Sequence, residues 1–162
     1  MGILYRVRQF VRAINGPSAP PDLGALADLL APEQRSLFDG MSLGDQHHCL
    51  AVARALLAAG HTDRDLLRSA LVHDAGKSAA HIAPWERVAH VLLLRFAHSV
   101  VGRVGAPQTS GFGHGLYVLA RHAVYSAAMA ERAGFPPATV TLLRGDGPPE
   151  WQDALRRADD TN

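Results

Sequence analysis

The stretch from residue 42 to residue 77 constrains the fold more than any other part of the chain. It reads SLGDQHHCLAVARALLAAGHTDRDLLRSALVHDAGK, and its apolar residues have helical spacing in two segments. Ser42, followed three residues later by Asp45, has the pattern of a capping box and predicts the start of the first helix. Gly60 suits a helix C-terminal cap and predicts its end. The stretch therefore predicts two helices joined by a tight turn.

The second helix of this pair carries polar residues where apolar ones are expected. Thr62 with Asp65 predicts its start, and Gly76 predicts its end. Helical spacing places His73 and Asp74 on two adjacent stripes that otherwise hold leucine and alanine. Both side chains are therefore expected to face the core.

Three more polar residues are expected on inner helix faces. His48 aligns with Val52, His122 aligns with apolar residues of a late helix, and Asp159 follows Leu155 by one helical turn. Of the carboxylates in the last helix, Asp159 is the one expected to be buried. A single inward histidine is more often a hydrogen-bonded core residue. Several imidazoles with two carboxylates, from different helices, are typical of a metal site in a helical bundle.

Composition limits the class of protein. The chain has 162 residues, of which 48% are apolar and 19% charged, as in one ordinary globular domain. A formal net charge of +1 gives no electrostatic case for binding nucleic acid. The single cysteine, Cys49, excludes an internal disulfide and favours a reducing compartment. With no signal peptide and no transmembrane segment evident, the sequence predicts a soluble cytoplasmic protein.

The rest of the chain also has helical spacing and no alternating run typical of a strand, so the sequence predicts an all-α fold. The first helix is basic and amphipathic. That pattern suits a membrane surface, but packing on its own domain is the favoured interpretation. We expect residues 1–40 to form helices that lead into, or pack on, a domain formed by residues 41–162. Beyond the central pair, the predicted helices cover residues 3–14, 22–30, 32–38, 85–104, 114–133, 136–144 and 151–159.

Together these residues resemble the signature of the HD-domain superfamily of metal-dependent phosphohydrolases. That signature is a helix histidine, a His-Asp pair and a distal aspartate, and His48, His73-Asp74 and Asp159 match it in order. The segment HDAGK, which ends at Lys77, is similar to the HDxGK of the HD-GYP branch of cyclic-dinucleotide phosphodiesterases and its small relatives. The resemblance covers roughly residues 41–162. It implies an HD-domain-like helical bundle with a divalent metal site in its core.

The resemblance also implies a role for each matching residue. His48, His73, Asp74 and Asp159 would bind one divalent ion, which the sequence does not identify among Mn, Mg, Fe, Co and Zn. Asp74 would be the residue that bridges to a second ion, and His122 occupies the place of a family histidine at that second site.

One segment departs from the pattern of the two-metal relatives. They carry a His pair where this chain has Arg144-Gly145-Asp146, and the chain has no GYP triplet. The expectation is therefore one ion, with a second only if another group completes its site. Asp146 is a candidate substitute ligand, and the alternative is that Arg144 and Asp146 are surface residues of a turn.

The implied function is hydrolysis of a nucleotide or another small phosphoester. A bound metal lowers the pKa of water and supplies hydroxide to attack phosphorus. Asp74 would orient this nucleophile, and Lys77 would offset charge on the phosphoryl oxygens, unless it is simply a solvated lysine. His81 and Arg144 are candidate contacts to the substrate.

Two other classes of function stay open at this point. One is a catalytically degenerate HD-domain scaffold that serves as a metal- or ligand-binding regulatory module, which the missing His pair favours. The other is oxidative chemistry at a di-iron centre, which needs a fuller ligand set. The expected partner is a small phosphorylated ligand, and the sequence does not set the oligomeric state.

Overall fold

The structure is a computed structural model that describes residues 17–79 and 112–162. Within these residues it is all-helical with no β-strand, which confirms the predicted fold class. Two 3-10 helices span Gly24–Leu29 and Ala75–Ala79. The predicted helices over residues 3–14 and 85–104 lie outside the described residues. The α-helices are α1 (Pro32–Asp39), α2 (Leu43–Ala58), α3 (Arg64–Val72), α4 (Phe112–Arg132), α5 (Pro137–Arg144) and α6 (Pro149–Thr161).

Helix α2 begins and ends where the sequence predicts. Ser42 is its N-cap, and the Ser42 Oγ accepts a hydrogen bond from the Asp45 amide at 3.2 Å. The helix ends at Ala58, and Gly60 follows with a φ of +88°. Because only glycine adopts this left-handed conformation without a steric penalty, Gly60 allows the tight turn into α3.

The predicted start of α3 is wrong by one residue. Asp63, rather than Thr62, caps the helix, and its Oδ1 accepts hydrogen bonds from the amides of Asp65 at 2.9 Å and Leu66 at 3.2 Å. Aspartate is a better N-cap than threonine, because its carboxylate accepts two amide bonds and favours the positive end of the helix dipole.

The predicted end of α3 is also wrong. The helix stops at Val72, and His73 and Asp74 form a turn before the 3-10 helix Ala75–Ala79. Both side chains nevertheless point inward, as predicted. Gly76 lies within the 3-10 helix, so it serves packing rather than helix termination.

This turn packs against α4 with no room for a side chain at Gly76. A Cβ there would overlap the His122 carbonyl oxygen and lie 2.6 Å from the Ser126 amide nitrogen and 2.8 Å from the Tyr125 Cβ. Ser126 joins the two elements, because its Oγ donates to the His73 carbonyl at 2.6 Å and accepts from the Gly76 amide at 2.8 Å. The turn is therefore fixed in position relative to α4.

Helix α3 is the central element of the described core. It contacts α1, α2, α5 and α6, while α4 packs on the 3-10 helix Ala75–Ala79 and on α5. Burying one large apolar side chain contributes about 1.5–3 kcal/mol, so apolar packing supports the turn that follows α3. The large apolar side chains that are almost completely buried are Phe38, Val52, Leu56, Leu66, Leu71, Val72 and Val118.

The N-terminal elements pack on the rest of the structure. Helix α1 contacts α3 and α4, and the buried Gln34 donates from its Nε2 to the Gly134 carbonyl at 2.9 Å. The boundary between residues 40 and 41 stays a prediction. Among the described helices, none is both long and apolar enough to cross a membrane.

We predict that Gly76→Ala destabilises the protein by about 3 kcal/mol, because the new Cβ would overlap backbone atoms of α4 that cannot move independently. Urea unfolding followed by circular dichroism measures this change. Gly44→Ala is the matched control, since a Cβ at Gly44 meets only the Ser42 Oγ, at 3.9 Å. Equal stability of the two variants would contradict the close approach of the turn to α4.

Candidate metal centre

Three of the predicted ligands lie together around the turn after α3. His48 comes from α2, and His73 and Asp74 follow α3 directly. One ligand atom from each lies within 4.8 Å of the other two. The two imidazole rings meet edge to face, with centroids 5.3 Å apart. The structure therefore brings together the helix histidine and the His-Asp pair that the sequence singled out.

Asp74 is the centre of the group. Its Oδ2 lies 3.8 Å from the His48 Nε2 and forms an ion pair with the Lys77 ammonium. Its Oδ1 lies 3.8 Å from the His73 Nε2 and 3.7 Å from the His122 Nε2. The side chain of Asp74 is only 2% exposed, so this carboxylate depends on its cationic and polar neighbours.

Asp159 of α6 closes the group from the other side. Its Oδ1 accepts a hydrogen bond from the His48 Nε2 at 2.8 Å and lies 3.4 Å from the His73 Nε2. The prediction that Asp159 is buried is wrong, because its side chain is 45% exposed. It lies in the last turn of α6, and it faces the group from a partly exposed position.

His73 is held in the orientation that a metal ligand needs. Its Nδ1 donates to the Ala70 carbonyl at 2.9 Å, and the buried Cys49 Sγ lies 3.6 Å from the same nitrogen. The Nε2 is buried and makes no hydrogen bond to any described residue. Since the Nδ1 bond to this carbonyl fixes the orientation of the ring, the Nε2 is directed into the group.

The charged side chains of the group shift the pKa values of their neighbours. Burial alone would raise the pKa of Asp74, but His73, Lys77 and His122 outweigh it and lower the pKa to about 2. Burial likewise opposes ionisation of Asp159, but the neighbouring His48 and His73 side chains lower its pKa below the usual range. Burial lowers the pKa of His73, and Cys49, Asp159 and Asp74 together raise it well above its usual value. Both carboxylates are therefore ionised at neutral pH.

Lys77 lies between two buried carboxylates. Its ammonium pairs with Asp74 and is 4.0 Å from the Oδ1 of Asp45, which is 5% exposed. The Asp45 Oδ2 in turn accepts a hydrogen bond from the Ser42 Oγ at 2.5 Å. Sequence reasoning assigned Asp45 to helix capping and missed this second contact. The signal was present, because Asp45 precedes His48 by three residues and shares its helix face.

The donor set fits a divalent metal ion. Two imidazole nitrogens and one or two carboxylates are common ligands of transition metals. Ligands about 2.2 Å from one ion are at most about 4.4 Å apart, so small side-chain shifts would bring these atoms to bonding distance. The buried Nε2 of His73, which lacks a hydrogen bond within the described residues, is the atom that a metal would satisfy. The group of His48, His73 and Asp74 can therefore hold a metal ion.

The other predicted site residues lie in different parts of the structure. His122 comes from α4 and approaches the Oδ1 of Asp74, whereas His48 approaches the Oδ2. Arg144 ends α5 and pairs with the Glu131 carboxylate at 2.7 Å, and Asp146 is exposed in the following turn. Asp146 is not a member of the group formed by His48, His73 and Asp74, and its role as a substitute ligand of a second site stays a prediction. His81 lies outside the described residues.

A cavity larger than the one at this group lies elsewhere in the described structure. A cavity of about 610 Å³ lies against the outer face of α2, beside His47, and none of the clustered residues lines it. A cavity of about 250 Å³ opens between α4, α5 and α6, and it is lined by His73, His122 and Asp159. The smaller cavity is the relevant one, because it exposes the candidate ligands to a small molecule.

Comparisons of the chain with protein-family models, with curated proteins and with solved structures found no match. The likeness to the HD-domain signature stays a prediction from the motif. What the side chains at this site can do is therefore inferred from their geometry and chemistry.

We predict that the protein binds one equivalent of Mn²⁺ or Zn²⁺ and that His73→Ala abolishes this binding, because the directed Nε2 is lost. Calorimetry and metal analysis of the dialysed protein measure the stoichiometry. His47→Ala is the control, since His47 neighbours His48 but hydrogen-bonds outward to the Ala19 carbonyl. Undiminished metal binding in His73→Ala would contradict the assignment.

We predict a pH-dependent stability that belongs to Asp74. Its folded-state pKa of about 2 lies below the model-peptide value of 3.8, so its contribution is complete above about pH 4 and is lost as pH falls toward 2. The loss is about 2 kcal/mol. Urea unfolding of the metal-free protein between pH 2 and 5, compared with Asp74→Asn, measures it. Asp160→Asn on the exposed face of α6 controls for net charge, and parallel profiles for wild type and Asp74→Asn would contradict the prediction.

Proposed function

We propose that this protein is a divalent-metal-dependent hydrolase of small phosphoesters. The observation that carries the proposal is the buried Asp74, which lies near three imidazoles and pairs with Lys77. Two of those imidazoles, His73 and His122, line a cavity. Ligands for a cation and a separate positive charge for an anion thus lie side by side. Phosphoryl transfer needs this combination, because its catalysis depends on positioning and on neutralising charge.

The ligands of the ion would be His48, His73, Asp74 and Asp159. A divalent ion supplies Lewis-acid activation of water and of a phosphoryl oxygen. The Ala70 carbonyl keeps the His73 ring oriented, and Ser126 keeps the turn in place through the His73 carbonyl. The supporting hydrogen bonds therefore come from the backbone and from α4, so ligand positions do not depend on flexible side chains.

Lys77 would stabilise the anionic substrate. Its side chain is 22% exposed, so it is largely screened from bulk water but still partly accessible. Asp74 and Asp45 hold it from two sides, which limits its rotamers. A positioned cation of this kind stabilises charge that develops on phosphoryl oxygens without reorganisation at the moment of reaction.

His122 lies on the cavity side of Asp74. Its side chain is 32% exposed and lines the cavity together with Asp159. In this position it can donate a hydrogen bond to a phosphoryl oxygen, or serve as the first ligand of a second ion. We propose a single essential ion, because the described ligand atoms with metal-ligand spacing form one group, that of His48, His73 and Asp74.

The second candidate function is a metal- or ligand-binding regulatory module on the same scaffold. It is favoured by Arg144, which stands where the two-metal relatives carry a His pair and which pairs with the Glu131 carboxylate. Such a module would bind metal and phosphate but would not turn over substrate.

We predict that the metal-loaded protein hydrolyses para-nitrophenyl phosphate or its bis-ester and that Lys77→Gln lowers kcat about 100-fold, as loss of one positioned charge does elsewhere. Absorbance of released nitrophenol measures the rate. The metal content of Lys77→Gln should stay at the wild-type value, and His47→Ala should retain full activity. Metal binding without turnover of either ester would favour the regulatory module, and turnover that is independent of metal would contradict both.

A further inference from the structure

The cavity between α4, α5 and α6 has two chemically different walls. Its inner end is the metal group, through His73, His122 and Asp159. Its floor is apolar, and it is formed by Leu142 and Leu143 of α5 and by Leu155 of α6. A ligand bound at the inner end would therefore place its remaining atoms against leucine side chains.

Two arginines also line this cavity. Arg144 lies at the end of α5 and Arg156 on the exposed side of α6, and both side chains are about half exposed or more. Arg144 pairs with Glu131 and Arg156 pairs with Asp153, in both cases at the surface. Exposed ion pairs of this kind contribute little to stability. A ligand anion can therefore replace either carboxylate at small cost.

The guanidinium groups are suited to that exchange. Each carries five N–H donors in a planar fork that matches carboxylate and phosphate oxygens. One exposed carboxylate partner uses only part of this capacity. The mouth of the cavity therefore offers a place for negative charge that is separate from the metal group.

The volume limits the ligand. At about 250 Å³ the cavity is below the range of roughly 300–1,000 Å³ that holds drug-sized molecules. It has room for one ring or a short chain, not for two nucleosides. A cyclic dinucleotide would have to leave most of its surface outside the cavity.

We propose that the cavity selects a small phosphoester with a compact apolar body and a second anionic group. The phosphoryl group lies at the metal centre, the body lies on Leu142, Leu143 and Leu155, and the second anion lies between Arg144 and Arg156. This assignment rests on the proposed function for the role of the phosphoryl group. The assignments of the apolar floor and of the arginine mouth are based only on the residues that line the cavity.

Binding of two unreactive probes tests the proposal without turnover. Phenylphosphonate and para-carboxyphenylphosphonate differ only in the second anion, and calorimetry with Mn²⁺-loaded protein gives their affinities. We expect the carboxylated probe to bind about tenfold more tightly, the gain from one charge-assisted contact. Arg144→Gln and Arg156→Gln should each remove most of this difference. Arg157→Gln, the matched control, should retain it, because Arg157 is exposed on α6 and does not line the cavity.

Each of the other outcomes tests a different part of the proposal. Equal affinity for the two probes, or no binding of either, would overturn the second-anion assignment. Tighter binding of a cyclic dinucleotide than of the carboxylated probe would overturn the size limit. If benzoate binds in an arginine-dependent way while phosphonate affinity does not respond to Mn²⁺, the arginine mouth is supported and the metal-dependent hydrolase is the part that fails.

Discussion

Burial of the Asp74 carboxylate is the constraint on which the rest of the structure depends. A charge that is almost fully removed from water is costly unless its neighbours compensate it. Those neighbours are His48 of α2, His122 of α4 and Lys77 of the 3-10 helix, so three separate elements must meet at one point. The arrangement of the helices around α3 is therefore also the arrangement that builds the site.

The contact between the turn and α4 shows how this convergence is achieved. Ser126 bridges the His73 carbonyl and the Gly76 amide, and the absence of a Cβ at Gly76 lets the two backbones approach. These are fold-stabilising contacts, yet they also fix the direction of the His73 ring. Stability and site geometry are coupled here, because a shift of the turn would displace His73 and Asp74 together.

Sequence patterns predicted much of this arrangement. The contacts that they did not predict were missed for one common reason. Helical spacing placed His48, His73 and Asp74 on inner faces because that property is local to each element. The partners that support them are set by tertiary approach, which spacing does not encode. Ser126 and the contact between Asp45 and Lys77 are of this type.

The errors have physical causes of the same kind. The exposure of Asp159 depends on which elements cover the end of α6, and its helix face alone does not determine that. The end of α3 was misplaced because Gly76 was interpreted as a cap when it serves packing. The cavity floor and its two arginines come from α5 and α6, and only the tertiary structure places them beside α4.

The measurement that tests the central claim most directly is a crystal structure of the protein grown with Mn²⁺, with the ion located by anomalous scattering. The account predicts one strong peak about 2.2 Å from the Nε2 atoms of His48 and His73 and from a carboxylate oxygen of Asp74. A fully loaded crystal with no peak at this position, or with Mn²⁺ bound elsewhere, would contradict the claim that these residues form a metal centre.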